Sequence, residues 1–163
     1  MKHFLEYLGT LLHIVGMVLF VGGHIWFSVL AAAAERRRDQ GGVRFLATSL
    51  PLLANGLGVG VILLFGSGVL KLLVWGEPGL IFLPDPYGWI LLSKLLLYMV
   101  IVGNGMLIER RYLPYVLQDS PQFPDMAPAA ARAWSQLCIR ARLNLVLTLV
   151  VIALGEAMRY SKF

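Results

Sequence analysis

Four stretches of this sequence are longer and more apolar than any element a water-soluble domain needs. They cover residues of about 4–34, 50–75, 89–108 and 137–160. A hydrocarbon layer ~30 Å thick asks for about 20 apolar residues per helix. Backbone N–H and C=O groups find no water there, so such stretches cross as helices. The sequence therefore predicts an all-α integral membrane four-helix bundle. It is one domain over residues 1–163, multi-pass in a bacterial inner (cytoplasmic) membrane, with the lipid bilayer as its first partner. Composition agrees, with 58% hydrophobic and 14% charged residues, where soluble domains run near half and roughly a quarter. A single cysteine, Cys138, excludes an internal disulfide and any multi-cysteine metal cluster. It reads as a small apolar residue.

The first window could be mistaken for a secretory signal, because Lys2 precedes it and Ala31, Ala32, Ala33 and Ala34 resemble a cleavage site. Its apolar run is about twice the usual ~7–15 residues, and Arg36, Arg37 and Arg38 follow at once, so a retained helix is expected. Those arginines also orient the chain. Arg36, Arg37, Arg38, Arg44, Arg110, Arg111, Arg132, Arg140 and Arg142 gather on one side. Lys2, Lys71, Arg159 and Lys162 lie on the other, with Lys94 inside a span. The positive-inside rule then puts both termini outside, in the periplasm. It also accounts for the net charge of +5 with no nucleic acid as partner. Residues 76–88 carry three prolines among apolar residues and read as an irregular outer loop. Residues 114–128 carry four and read as a linker, with the fourth helix starting near Ala127.

Ionisable groups inside a span are costly and mark candidate functional sites. His13, Lys94 and Glu156 fall toward the outer half, with Lys71 at the edge, while His24, Asn104 and Asn144 fall toward the inner half. An outer polar cluster is one reading of the first group. The other is that the lysines snorkel and Glu156 pairs with one of them. His13 and His24 are eleven residues apart, within about 20° of a whole number of turns, so they share one face about 16 Å apart along the axis. Met17 and Phe20 lie near that face, with Gly16 and Gly23 at its flanks. Paired histidines beside glycines suit haem presentation, and two hydrogen-bonded histidines in a helix interface are the alternative. His3, His13 and His24 are the only histidines, and all belong to the first helix. A haem there would take its second ligand from Met99, Met106, Lys94, water or another subunit. Gly56, Gly60, Gly66 and Gly68 give the second helix a small-residue face, suited to close packing or to a flat ring.

His13, Phe20 and the Gly22–Gly23 pair resemble the first-helix pattern of the bacterial copper-resistance D family. Pro86-Tyr87-Gly88-Trp89, followed by Leu91-Leu92-Ser93-Lys94-Leu95, is similar to that family's third-helix signature. The related HemJ-type protoporphyrinogen oxidases are similar in the first helix and in Gly88, Trp89 and Lys94. The resemblance covers the chain from His13 to the last span, and it implies a four-helix membrane bundle. In the HemJ-like branch it also implies haem b, with His13 as ligand and Lys94 as a second functional residue. This chain departs from that branch at His24-Ile25-Trp26-Phe27 and the alanines after them, and at Asn144, which lacks a neighbouring acid or proline.

Four functions remain open on these grounds. The first is a haem-b redox protein that passes electrons between a quinone and an outer partner, or an accessory subunit of a membrane redox complex. His13 would hold iron there, His24 a second haem or a partner-supplied ligand, and Lys94 would offset a haem propionate. A homodimer or a larger respiratory complex would be the protein partner. The second is copper uptake, with His13 and His24 as metal ligands. An outer amino terminus would add a site from the amine, two amides and His3. The third is protoporphyrinogen oxidation, and the fourth a cofactor-free stabilising subunit of a respiratory assembly. No Ser–His–Asp arrangement suggests hydrolysis.

Overall fold

The computed structural model describes residues 2–37, 40–75, 86–119 and 127–160, and among them it is helical throughout except at Ala127. Helix α1 spans Lys2–Arg37 and α2 spans Gln40–Trp75, each 36 residues. At 1.5 Å per residue each is about 54 Å long, well beyond the ~30 Å hydrocarbon layer. Arg36 and Arg37 close α1, where cations complement the helix dipole. Pro51 lies inside α2 and removes one helical donor. Helix α3 spans Pro86–Leu107, its proline at the first position, where a missing N–H costs nothing.

A π-helical turn, Ile108–Tyr112, joins α3 to the short α4, Leu113–Asp119. The Leu113 N–H reaches back five residues to the Ile108 carbonyl. The next residue is Pro114, whose ring would press on the carbonyl four residues earlier in a regular α-helix. The wider turn just before it relieves that clash. Residues 114–119 are therefore helix where a proline-rich linker was expected, and the remaining linker residues 120–126 lie outside the described residues. Helix α5 spans Pro128–Tyr160, its first turn closed by the Ala131 N–H on the Ala127 carbonyl at 3.1 Å. That start matches the expected one. Of the outer loop, residues 76–85 lie outside the described residues, and 86–88 already belong to α3.

Four helical segments, Lys2–Arg37, Gly41–Val74, Pro86–Gln118 and Pro128–Met158, are long and apolar enough to cross a membrane. Leu52, Ile62, Val18 and Met99 point outward. So much exposed apolar surface fits lipid and not water, and the architecture is that of a multi-pass membrane protein.

Helices α1 and α2 pack along their lengths, α3 packs on α5, and α1 touches α5 to join the pairs. The first contact is set by Gly16 and Gly60. A Cβ on Gly60 would stand 3.1 Å from the Phe20 backbone nitrogen and 3.2 Å from the Gly16 oxygen. A Cβ on Gly16 would stand 3.0 Å from the Leu64 nitrogen. Small residues here let the backbones meet, the usual device where lipid supplies no hydrophobic drive. The densest packing lies toward the arginine-rich end. There Phe27, Ala31 and Ala34 of α1 meet Leu46 and Ala47 of α2, Val116 of α4, and Trp134, Leu137 and Cys138 of α5. Phe27 and Trp134 make an edge-to-face pair at 6.1 Å. Helices α2 and α3 are tied differently. The Tyr98 hydroxyl donates to the Val61 carbonyl at 2.7 Å, and its ring stacks with Phe65.

Candidate functional site

Below the Tyr98 tie, a cavity of about 320 Å³ opens between α2 and α3. Phe20, His24 and Phe27 of α1 line it, with Leu57 and Gly58 of α2, Gly105, Met106 and Glu109 of α3 and the π turn, and Ala141 and Asn144 of α5. Its size falls in the range of small-molecule sites, and its few polar groups among apolar walls are typical of them.

His24 is 4% exposed. Its Nδ1 lies 2.8 Å from the Phe20 carbonyl one turn earlier, and its ring packs against the Phe20 ring at 4.6 Å between centroids, tilted by 59°. A carbonyl oxygen only accepts, so Nδ1 carries the hydrogen. The lone pair of the neutral ring is then on Nε2. A metal-binding histidine is ordinarily held this way, by a backbone carbonyl on the far ring nitrogen. Asn144, across the cavity, belongs to an interhelical network. The Asn104 amide donates to the Asn144 Oδ1 at 2.8 Å and to the Arg140 carbonyl at 3.2 Å, and an Arg140 Nη donates to the Asn104 Oδ1 at 2.8 Å. The Arg140 guanidinium also stands over the Tyr112 ring at 5.3 Å. Asn144 is buried, and its carbonyl accepts from the Thr148 hydroxyl.

His13 sits nearer the end where α1 begins and α5 ends. Its Nδ1 is 2.9 Å from the Ser67 hydroxyl, and that hydroxyl donates to the Leu64 carbonyl at 3.0 Å. The relay makes His13 the donor to Ser67 and again leaves Nε2 with the lone pair. Lys71 packs by the preceding turn of α1, its Cγ 3.6 Å from where a Gly9 Cβ would be. The Lys94 Nζ meets the Met158 Sδ at 3.8 Å and stands 3.3 Å from where a Gly155 Cβ would be.

The structure thus brings His24 and Asn144 into one cavity and sets His13 on Ser67, four residues before Lys71, while Lys94 meets α5. Lys94 does not line the His24 cavity. Phe20 serves His24 through both its carbonyl and its ring. Gly16 and Gly23 face α2, where a Cβ on Gly23 would stand 2.9 Å from the Leu57 side chain. Of the second-ligand candidates, Met106 lines the cavity while Met99 is 66% exposed outside it. Glu156 is exposed on α5. His3 is exposed in the first turn of α1, with Nδ1 3.2 Å from the Glu6 carboxylate. Among the described residues, no three His, Cys, Asp or Glu side chains cluster as a metal site.

Sequence reasoning missed Ser67 and Arg140 as site residues. Both had a signal: Ser67 precedes Lys71 by four residues, and Arg140, Asn144 and Thr148 recur at intervals of four, each a polar stripe on one helix face. The chain matches no protein family, no curated protein and no solved structure.

Proposed function

We propose that this chain is a membrane haem-b protein serving electron transfer, or an accessory subunit of a membrane redox complex, with the haem in the lateral cavity on His24. The supporting observation is the His24 ring itself. It is buried in the wall of an apolar cavity, with Nδ1–H bound to the Phe20 carbonyl and Nε2 without a partner among the described residues. The donor types suit the group: His24 would offer an imidazole, and Met106, in the cavity wall and 52% exposed, would offer a thioether. Burial by Phe20, Phe27 and Leu57 would tune the potential, and the haem would supply the one-electron chemistry. His13 does not line that cavity and is a weaker haem site on this reading.

The resemblance to the copper-resistance D and HemJ-like families belongs to the same proposal. So do a bacterial inner membrane with the arginine-rich end in the cytoplasm, and a membrane quinone as electron partner. The test is the absorption spectrum of detergent-purified protein, oxidised and dithionite-reduced, with a pyridine haemochrome count and metal analysis. A sharp reduced α band with about one haem per chain is expected. A colourless, copper-containing preparation would favour metal uptake instead, and a colourless, metal-free protein reconstituting no haem would leave the accessory-subunit role alone.

A further inference from the structure

Where α1 begins and α2 ends, the two helices enclose a crevice of about 240 Å³, lined by Glu6, Thr10, Lys71 and Val74. It holds one carboxylate and one ammonium, and the two do not meet. Among the described residues no ion pair within 4.0 Å joins Glu6 to Lys71. His3 engages one oxygen of the Glu6 carboxylate, Oε2, at 3.2 Å. Glu6 and Thr10 are four residues apart and share a face of α1. The Thr10 hydroxyl commits its hydrogen to the Glu6 backbone carbonyl at 3.0 Å, so its oxygen presents only lone pairs. The polar groups of the α1 wall are therefore acceptors. The polar group of the α2 wall is the Lys71 ammonium, which only donates. Gly9 lets that lysine lie along α1, its Cγ 3.6 Å from where a Gly9 Cβ would be.

Depth narrows what can enter. Helices α1 and α2 are each 36 residues long, more than the ~30 Å hydrocarbon layer can hold, so their ends reach the level of the lipid headgroups. Tyr7 of α1 and Trp89 in the first turn of α3 are exposed at this end, and such rings mark the membrane–water interface. A headgroup that satisfies both walls carries a donating cation and an accepting anion a few bonds apart. A primary ammonium on a phosphodiester does so. A choline head has no N–H for Glu6 and Thr10, and a glycerol head has no cation.

We propose that Glu6, Thr10 and Lys71 form a binding site for the head of phosphatidylethanolamine, with its ammonium on α1 and its phosphodiester on α2. The site goes beyond the haem reading and does not depend on it.

The test exchanges full-length protein in detergent against an equimolar mixture of phosphatidylethanolamine, phosphatidylcholine and phosphatidylglycerol, and counts the retained lipids by mass spectrometry. Phosphatidylethanolamine should be enriched at least about tenfold over each of the others, equivalent to ~1.4 kcal/mol. Glu6→Gln, which keeps the shape and removes the charge, and Lys71→Met should each abolish most of that preference. Glu35→Gln, whose carboxylate pairs with Arg142 at the arginine-rich end, should leave it intact. Helix content by circular dichroism separates loss of the site from loss of the fold. Equal retention of the three lipids overturns the proposal, and so does a preference that persists in folded Glu6→Gln and Lys71→Met. A parallel calorimetric titration uses water-soluble phosphoethanolamine. Its binding without retention of the lipid would overturn the assignment to a membrane headgroup.

Discussion

His13 and His24 of α1 share a helix face and a tautomer, and the regions around them differ. Around His24 the bundle is built as a wall and a void. Aromatic and aliphatic side chains from α1, α2, α4 and α5 pack densely toward the arginine-rich end, and α2 and α3 part above them to leave the lateral cavity. Around His13 the backbones of α1 and α2 close on each other at Gly16 and Gly60, and the polar group on the ring is the Ser67 hydroxyl. One region offers an apolar pocket with a single imidazole lone pair, the other a close helix contact with a serine on the ring. Equal spacing on a helix did not make equivalent sites, because each neighbouring helix supplies a different surface to the same face.

The comparison can be broken at several points. The largest expected effect is on cofactor retention. Gly58 lines the cavity and has open space beside its Cα, so Gly58→Trp should fill the void without disturbing the helix contact. Haem content should fall at least about tenfold, an affinity loss of ~1.4 kcal/mol or more, read by pyridine haemochrome on folded protein. If haem is retained in full, the cavity is not its site. The next effect is on the α1–α2 contact. Gly60→Ala presses a methyl onto the Phe20 and Gly16 backbones and should destabilise the bundle by about 1–3 kcal/mol. Gly22→Ala meets nothing within 4 Å and should stay within ~0.5 kcal/mol. Thermal unfolding in detergent compares the pair, and equal stabilities would mean that the helices do not meet at Gly60.

A smaller loss is expected from the Asn104 network. Asn104→Ala removes the bonds to Asn144 and Arg140 at the cavity floor and should cost about 1 kcal/mol, near the upper part of the range for interhelical hydrogen bonds in membranes. The smallest is Tyr98→Phe, which deletes the tie to Val61 for roughly 0.6 kcal/mol. Its interest lies in access, because the tie closes one end of the opening between α2 and α3. Faster haem exchange with an external acceptor is the expected outcome, and an unchanged rate would show that the cavity does not open there.

Much of this was legible in the sequence. Apolar length gave the four spans, and Asp125 with Pro128 marked the start of α5 near Ala127. The depths of His13, Lys94, His24, Asn104 and Asn144 followed from counting along each span. Azimuth did not follow. Depth alone could not show that Asn104 faces Arg140 and Asn144 across α3 and α5, pairs 36 and 40 residues apart. It could not show that Ser67 would accept a hydrogen bond from His13, or that Met106 and not Met99 would share a cavity with His24. The prolines misled locally for a physical reason. Pro114 reads as a helix breaker, yet a π turn just upstream absorbs its ring, and the helix runs on to Asp119. Gly16 and Gly23 were open to two uses in the sequence, and in the structure they lie against α2.

The most direct measurement is the haem content of His24→Ala and His13→Ala, purified in parallel and corrected for folded protein. A haem on His24 predicts near-complete loss in the first and near wild-type content in the second. Full retention in His24→Ala, with loss in His13→Ala, would contradict the account and move the cofactor to the other end of the helix.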